Sequence, residues 1–163
     1  MTAHIRFPGF VLAALAAATL LAACATEPAY LKESRAYFNE GRGEEALAVL
    51  DKAYREDPSE YRARNEYFRM RDLLAAQWLA QAETLRLAGQ FELAEALYQR
   101  VLKQNSANPR ARAGLVQVEA DMRHRAIVAT AEKLVNEEKY PEAQDVLRLV
   151  HAENPQHRDA QRL

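Results

Sequence analysis

The sequence predicts an all-α protein: a solenoid of helical hairpins in which the first helix of each hairpin is elongated. Three observations predict this fold. Three stretches of the chain resemble one another, and Ala46, Ala94 and Ala143 recur in them at intervals of 48 and 49 residues (94 − 46 and 143 − 94). The segments between the hairpins contain almost no glycine or proline, and apolar side chains follow helical spacing, as in amphipathic helices.

The chain begins with a segment that is typical of a bacterial export signal. Residues 10–21 are almost wholly apolar, but a helix needs roughly 20 apolar residues to cross a bilayer. The segment fits a secretory signal, in which roughly 7–15 apolar residues precede small residues at a cleavage site. We therefore interpret residues 1–23 as a signal peptide that is removed.

The only cysteine, Cys24, ends this segment in the sequence Leu-Ala-Ala-Cys at residues 21–24. This sequence resembles the lipobox of bacterial lipoproteins, which implies that the Cys24 thiol carries a diacylglyceryl group and that acyl chains such as palmitate anchor the protein. Several chains on one residue hold a protein stably, because each buried CH₂ contributes about 0.8 kcal/mol. Ala25, in place of the aspartate of retained lipoproteins, implies the outer membrane. The alternative is a secreted protein cut at an Ala-x-Ala site, with Cys24 as an idle thiol.

Composition limits the classes of partner and of stabilisation. The formal net charge is −1, so no long-range field attracts nucleic acid or acidic substrates. With a single cysteine the chain has no internal disulfide, and packing alone must stabilise the fold.

Each hairpin combines a first helix, a turn and a second amphipathic helix that ends at an Asn, Asp, Ser or Pro. The hairpins occupy about residues 30–58, 75–106 and 124–155, after a linker at residues 24–29. Small residues recur where the two helices of a hairpin face each other, so that their axes can approach to about 8–10 Å. These residues are Ser34, Ala82 and Ala131 on the first helices and Ala46, Ala94 and Ala143 on the second.

The turns inside the hairpins differ in one position. Gly41 and Gly89 close the first helices of two hairpins, as a left-handed C-terminal cap requires. The third hairpin has Glu138 there. We therefore expect the third turn to be the least well formed.

The segments before the second and third turns predict long first helices. Residues 59–88 contain no Gly or Pro, and residues 110–138 contain only Gly114. A break near Asp72 or Asp121, which would give three helices per unit, is the alternative. The first of these two helices carries an apolar stripe at helical spacing, which is formed by Tyr67, Leu74, Trp78, Ala82 and Leu85.

The last residues, 157–163, begin the same long helix again. They either fold back as a stub or lead into a further unit beyond Leu163. We expect the second, because a repeat array usually ends in a polar capping helix.

The repeated positions resemble the tetratricopeptide repeat, in which a bulky residue, a small residue, alanines and a late proline recur. Tyr30, Trp78 and Ile127 match its first bulky position, and Pro58 and Pro155 match its proline. The resemblance covers the chain from about Ala29 onward. Tetratricopeptide units recur every 34 residues, so each unit here carries about 14–15 additional residues.

The combination of lipobox, repeats and the phrase ANPRARAGL at residues 107–115 resembles the N-terminal segment of secretin-type outer-membrane channels of type II secretion or type IV pilus systems. The resemblance implies a periplasmic protein-interaction scaffold, anchored to the outer membrane, that is the leading segment or an accessory of such a channel. It would form a homo-oligomer if it belongs to a channel ring. The alternative is a free-standing lipoprotein that acts as a pilotin-like chaperone or as an outer-membrane assembly factor.

By the same resemblance, the first helices form a concave wall that binds extended or helical peptides. The peptide-binding positions that it implies are Arg35, Phe38, Asn39, Leu79, Glu83, Arg86, Val128, Glu132 and Asn136.

No residue pattern predicts an enzyme, a metal site or a cofactor. His124, His151 and His157 are scattered, and we expect them at the surface near helix ends rather than as metal ligands. Gly41-Arg-Gly43 lacks the strand and the Lys-Ser/Thr of a phosphate-binding loop. The acidic pairs 44–45 and 137–138 suit helix termini and turns.

The arginine-rich stretch at residues 61–72 is interpreted as a solvated helix face. Its alternative is a docking surface for an acidic partner or for lipid headgroups. Nucleic acid, which such a stretch could bind in a cytosolic protein, is not expected as a partner after export.

Overall fold

The computed structural model describes residues 27–163, which contain seven helices and no strand. This part of the chain is all-α, as predicted. The proposed signal peptide and Cys24 lie outside the described residues. The helices are α1 (Ala29–Asn39), α2 (Gly43–Glu56), α3 (Tyr61–Leu87), α4 (Phe91–Gln104), α5 (Pro109–Asn136), α6 (Tyr140–Glu153) and α7 (Arg158–Arg162).

Two of the helices are elongated, as the sequence predicts. α3 has 27 residues and α5 has 28, and neither is interrupted near Asp72 or Asp121. The three-helix alternative is therefore not observed. The reason is local, because no proline removes a backbone donor inside either helix. Pro109 stands at the first helical position of α5, where its missing N–H has no cost.

The described residues group into two compact units, one that ends at Arg71 and one that runs from Asp72 to Leu163. In the first unit α1 packs against α2. Leu31 of α1 and Leu50 of α2 are buried, and Met70 of α3 is buried in the same unit. The rings of Tyr54 and Tyr67 stack with centroids 5.7 Å apart.

In the second unit α5 packs against α4 and α6, and α7 packs against α6. One apolar cluster joins the last three helices. It consists of Val128, Ala131, Leu147, Val150 and Ala160.

The six small residues predicted at the helix contacts are all buried, with at most 2% of their surface exposed. They are therefore core residues, as expected for small side chains at helix contacts. In the apolar stripe of α3, Leu74, Trp78 and Ala82 are buried, whereas Tyr67 and Leu85 are half-buried.

The expectation for the third turn is wrong. Glu138 adopts a positive φ of 62°, close to the 76° of Gly41 and the 73° of Gly89. It closes the turn with the same pair of backbone hydrogen bonds, Glu138 N to Val135 O at 3.0 Å and Lys139 N to Leu134 O at 2.9 Å. The turn is fully formed, because packing of α5 on α6 outweighs the preference of Glu for negative φ.

The connections between hairpins share one kind of turn. From the sequence, its Asp or Asn residue was predicted only to end the preceding helix. Asp57, Asn105 and Asn154 each accept a side-chain hydrogen bond from the backbone N–H two residues later, at 3.0, 3.2 and 3.2 Å. Such Asx turns bend the chain locally. They place the next helix start at the same register in each repeat, with Ala63, Ala111 and Ala160 buried at equivalent positions.

None of the helices between residues 27 and 163 combines the length and the apolar character that a membrane span needs.

Candidate functional site

A cavity of about 510 Å³ lies in the second unit, where the end of α3, the middle of α5 and α7 meet. We call it the α7 cavity. Half of its lining residues are charged, and apolar side chains contribute to the remainder. The side chains discussed below are Arg86, Phe91, Asp121, Arg125, Val128, Glu132, His157, Asp159 and Arg162.

Arg86 lies at one side of the cavity in a sheltered ion pair. Its guanidinium contacts Asp121 of α5, and the two side chains are 15% and 19% exposed. It also donates to Glu83 on its own helix at 2.7 Å. The pKa of Arg86 is raised, mainly by the hydrogen bonds to Glu83 and then to Asp121. Arg86 thus links α3 to α5 and carries a fixed positive charge.

Glu83 has two donors. Besides Arg86, the hydroxyl of Tyr98 donates to it at 3.0 Å. The pKa of Glu83 is lowered, chiefly by the bond from Arg86, and burial raises the pKa of Tyr98, with the bond to Glu83 adding to the effect. Glu83 is therefore a carboxylate at neutral pH.

Arg125 of α5 crosses the turn between α3 and α4. Its guanidinium lies 4.1 Å from the centroid of the Phe91 ring and donates to the carbonyl oxygen of Gly89. Cation–π contact and a hydrogen bond to the turn fix its position. The cavity therefore has a second oriented cation beside an aromatic face.

The other side of the cavity is formed by α7. Arg162 lies 3.8 Å from Glu132 of α5 and 3.5 Å from Asp159. These side chains are largely exposed, so the pairs contribute little to stability and their charges remain accessible to a ligand.

A second cavity, of about 350 Å³, lies between α3, α4 and the start of α5. Its lining includes Leu79, Glu83 and Tyr98. Gly114 lies beside Tyr98, and a Cβ atom at Gly114 would stand 2.3 Å from the Tyr98 ring. The glycine inside α5 is therefore explained by a close approach of the two helices.

The structure brings some of the predicted peptide-binding residues together and separates others. Arg86, Val128 and Glu132 line the α7 cavity, and Leu79 and Glu83 line the second one. Leu79 and Val128 are core residues, 5% and 6% exposed. They can therefore contact a ligand only at the floor of a cavity.

The remaining predicted positions line neither of the two cavities. Arg35 pairs with Glu27 at 2.5 Å, Phe38 is half-buried, and Asn39 and Asn136 are exposed. The binding role of all nine residues stays a prediction.

Several residues of the α7 cavity were missed from the sequence. Asp121 and Arg125 precede the predicted Val128 and Glu132 at helical spacing on one face of α5, so extending that face by two turns would have found them. No sequence pattern indicated Asp159 and Arg162, because apolar residues do not recur at helical spacing after Glu153.

The expectation of scattered surface histidines is wrong for His124. It lies in the middle of α5, is 3% exposed, and its Nε2 is 3.1 Å from Oε2 of Glu153. Its ring meets that of His157 edge-on, with centroids 5.7 Å apart. Within residues 27–163, its Nδ1 is the one buried side-chain nitrogen or oxygen without a hydrogen-bond partner. Two of the histidines are therefore neighbours.

The α7 cavity offers oriented guanidinium and carboxylate groups beside the apolar side chains of Phe91 and Val128. Such a surface can bind polar backbone and charged side chains of both signs. In the part of the chain that the structure describes, no three His, Cys, Asp or Glu side chains cluster as metal ligands would.

No protein-family model, curated protein or solved structure matches this chain.

Proposed function

We propose that the chain is a protein-interaction scaffold of tetratricopeptide-like hairpins, and that the α7 cavity binds an extended segment of a partner protein. One observation carries the proposal. The cavity joins Arg86 of α3 with Val128 and Glu132 of α5, three residues that the tetratricopeptide resemblance assigns to a ligand-binding wall. The regular hairpins support the proposal, because stacked helical repeats commonly present such surfaces.

The chemistry of the cavity favours a polypeptide with mixed charge. Arg86 and Arg125 can bind carboxylate or carbonyl oxygens, and Glu132 can accept from Lys, Arg or backbone N–H groups. The Phe91 ring offers an apolar contact for a side chain between them. A segment with alternating acidic, apolar and basic residues would satisfy all three.

The proposed location follows from the lipobox resemblance. Lipid on Cys24 would hold the scaffold at the periplasmic face of the outer membrane. There it would serve as the leading segment or as an accessory of a secretin-type secretion or pilus channel. Two-chain or three-chain acylation gives stable attachment, whereas one chain alone would be marginal.

A labelling experiment tests the anchor. Cells grown with radioactive palmitate should label the protein, and a Cys24→Ser variant should take up no label and leave the membrane fraction. An unlabelled parent protein would refute the anchor without bearing on the cavity.

Site-specific photo-crosslinking tests the cavity. A photoreactive phenylalanine analogue at Glu132 should crosslink to one partner protein in intact cells. The matched control is Lys133, the next residue on α5, whose side chain is 78% exposed and does not line the cavity. The substitution Arg86→Ala should reduce the Glu132 crosslink.

The identity of the crosslinked protein separates the versions of the proposal. A secretin or pilus subunit would support the channel version, and a β-barrel precursor would favour an assembly factor. Equal crosslinking from Glu132 and Lys133 would contradict a binding role for the cavity.

A further inference from the structure

A groove of about 320 Å³ lies at the last hairpin and is lined by residues of α5, α6 and α7. We call it the α6 groove, because most of its lining belongs to that helix. Its apolar lining residues are Val135, Tyr140, Ala143, Leu147, Ala160 and Leu163. Tyr140 and Leu163 are 56% and 41% exposed, so large apolar side chains face solvent here. The groove shares no residue with the α7 cavity.

The same face of the second helix is covered in the two preceding hairpins. There the next helix of the chain is long and packs against it. In the second unit α5 packs against α4, and in the first unit the ring of Tyr67 in α3 stacks on that of Tyr54 in α2. A helix is therefore what covers this face wherever the structure shows it covered.

The two covering helices bury apolar side chains at matching positions. Each begins with a buried alanine, Ala63 in α3 and Ala111 in α5. Seven residues later, after about two helical turns, each buries a larger side chain, Met70 and Val118 (70 − 63 and 118 − 111). These residues begin the apolar ridge that each long helix presents to the hairpin before it.

At the last hairpin, α7 supplies only the first part of this ridge. Ala160 is buried in the place of Ala63 and Ala111, but α7 runs only to Arg162 and carries no counterpart of Met70 or Val118. The described residues thus leave the α6 groove open where the other hairpins have a second apolar contact. A helix with an apolar ridge has the shape and chemistry to fill it, as in helix-in-groove recognition.

One position of the second helices differs in charge among the hairpins. Asp51, Gln99 and Arg148 are equivalent, at intervals of 48 and 49 residues (99 − 51 and 148 − 99). The helix that follows Asp51 is α3, and its residues 61–71 contain four arginines and one acidic residue. An acidic position is thus followed by a basic covering helix, and Arg148 reverses the sign of the charge at that position.

The charge of the α6 groove favours an acidic occupant. Arg148 lines the groove, and no carboxylate side chain is among its nine described lining residues. The ion pair of Arg148 with Asp145, at 3.1 Å, joins side chains that are 75% and 66% exposed, so it contributes little to stability and exchanges readily for a carboxylate of a ligand. A guanidinium can bind such a carboxylate through two parallel hydrogen bonds.

We propose that the α6 groove binds an amphipathic, acidic helix of a partner protein. The apolar ridge of this helix contacts Tyr140, Leu147 and Leu163, and a carboxylate beside the ridge binds Arg148. The partner helix takes the place on α6 that α5 takes on α4. This site is additional to the α7 cavity and does not depend on what that cavity binds.

Photo-crosslinking in cells that produce the full chain tests the groove. A photoreactive phenylalanine analogue replaces Gln144, which is exposed and lines the groove. The matched control position is Glu142, which is exposed on the same helix and does not line the groove. We expect a product from position 144 alone. Mass spectrometry should map its partner residue to a helix with apolar residues three and four apart and acidic residues beside them.

Substitutions of the groove test the two kinds of contact separately. Arg148→Glu should lower the yield from position 144 by about tenfold or more, because a like charge then opposes the acidic helix. Arg148→Lys keeps the charge and should lower the yield by less than about threefold. Tyr140→Ser removes an apolar contact without a change of charge and should also lower the yield. Because Arg148 and Tyr140 are exposed, the circular dichroism of these variants should match that of the parent protein.

Four outcomes would overturn the proposal. They are equal yields from positions 142 and 144, a crosslink from position 144 to lipid or to a non-helical segment, a yield that Arg148→Glu does not change, and a crosslink to this chain itself. The last would show that the groove is covered from within or by a second copy. The substitution Arg86→Ala, which tests the α7 cavity, should leave the product from position 144 unchanged, so failure of one site is distinguishable from failure of the other.

Discussion

At the scale of single residues, Glu138 occupies a backbone conformation that the other two turns give to glycine. Its φ of 62° costs an L-residue about 1–2 kcal/mol. A glycine has no such steric cost, and the additional conformational entropy that it gives the unfolded chain offsets only part of this gain. We expect Glu138→Gly to raise the free energy of unfolding by about 1 kcal/mol. Urea denaturation followed by far-UV circular dichroism measures the change.

Glu138→Ala is the matched control for that substitution. It removes the same carboxylate but keeps a Cβ atom, so the backbone cost at positive φ remains. A gain in Glu138→Ala as large as that in Glu138→Gly would show that charge, and not backbone conformation, limits stability at this turn.

Position 114 requires glycine because of a neighbouring side chain and not because of its backbone conformation. A Cβ atom there would overlap the ring of Tyr98, which is 3% exposed. Overpacking of this kind costs about 1–3 kcal/mol, while alanine gains up to about 1 kcal/mol over glycine in a helix. We expect Gly114→Ala to lower the free energy of unfolding by about 1 kcal/mol.

The repeat itself supplies a control for this prediction. The residues that correspond to Tyr98 in the other two hairpins are Leu50 and Leu147. Leucine is therefore a size that this position accepts, and the Tyr98→Leu substitution removes the ring that the alanine would overlap. In that background Gly114→Ala should become neutral or stabilising. If the cost of the alanine stays the same, the ring contact is not its cause.

At the scale of the elements, side-chain caps define the helix starts in the connections between hairpins. The Asn108 side chain accepts from the N–H of Ala111, and Ala111 is fully buried in the core. Loss of an N-cap costs typically about 1 kcal/mol, and we expect this loss in Asn108→Ala. Thermal and urea unfolding should show it, whereas Asn108→Asp, which retains the acceptor, should remain within about 0.5 kcal/mol of the parent protein. Equal losses in both variants would argue against the cap.

The helices and the two turns that Gly41 and Gly89 close were predictable because their signals are local. Ala46, Ala94 and Ala143 mark close helix contacts through size alone, and the absence of Gly and Pro from residues 59–88 marks a long helix. These features act within one or two turns of the chain, where sequence spacing translates directly into geometry.

The conformation of Glu138 and the burial of His124 were not predictable for the opposite reason. Glu138 is held at positive φ by tertiary packing that overrides its own preference. His124 is buried because α6 places Glu153 against it, a contact across 29 residues. The α7 cavity depends in the same way on Asp159 and Arg162, which follow the Asx turn at Asn154.

At the scale of the whole described chain, carboxylates and phenols limit stability at opposite ends of the pH range. The pKa of Glu60 is lowered, first by the hydroxyl of Tyr30, and the pKa of Glu153 is lowered, first by Arg123. Groups with a lowered pKa bind fewer protons in the folded state. Their stabilisation is complete above the unfolded value of about 4.3 and is lost as the pH falls through the lowered values.

Tyr30 acts with the opposite sign. Burial, followed by the hydrogen bond to Glu60, raises its pKa to about 12. The folded state therefore keeps a proton that the unfolded chain releases near pH ~10, and stability falls as the pH rises from about 10 towards 12. Global helicity should consequently be most resistant to urea between about pH 5 and about pH 9.5, since both kinds of group then contribute in full.

The Tyr30→Phe substitution separates the alkaline effect from the general sensitivity of a helical protein to high pH. It removes the phenol that must keep its proton, so the urea midpoint should decline less steeply than that of the parent protein between about pH 9.5 and about pH 11. It also removes the main cause of the lowered pKa of Glu60, so the acid decline should become shallower. The control variant is Tyr61→Phe, because Tyr61 is 63% exposed. This variant removes a phenol but leaves the hydrogen bond between Tyr30 and Glu60 in place. Parallel midpoint curves for the parent and Tyr30→Phe proteins would show that the Tyr30–Glu60 contact does not link α1 to the start of α3 in solution.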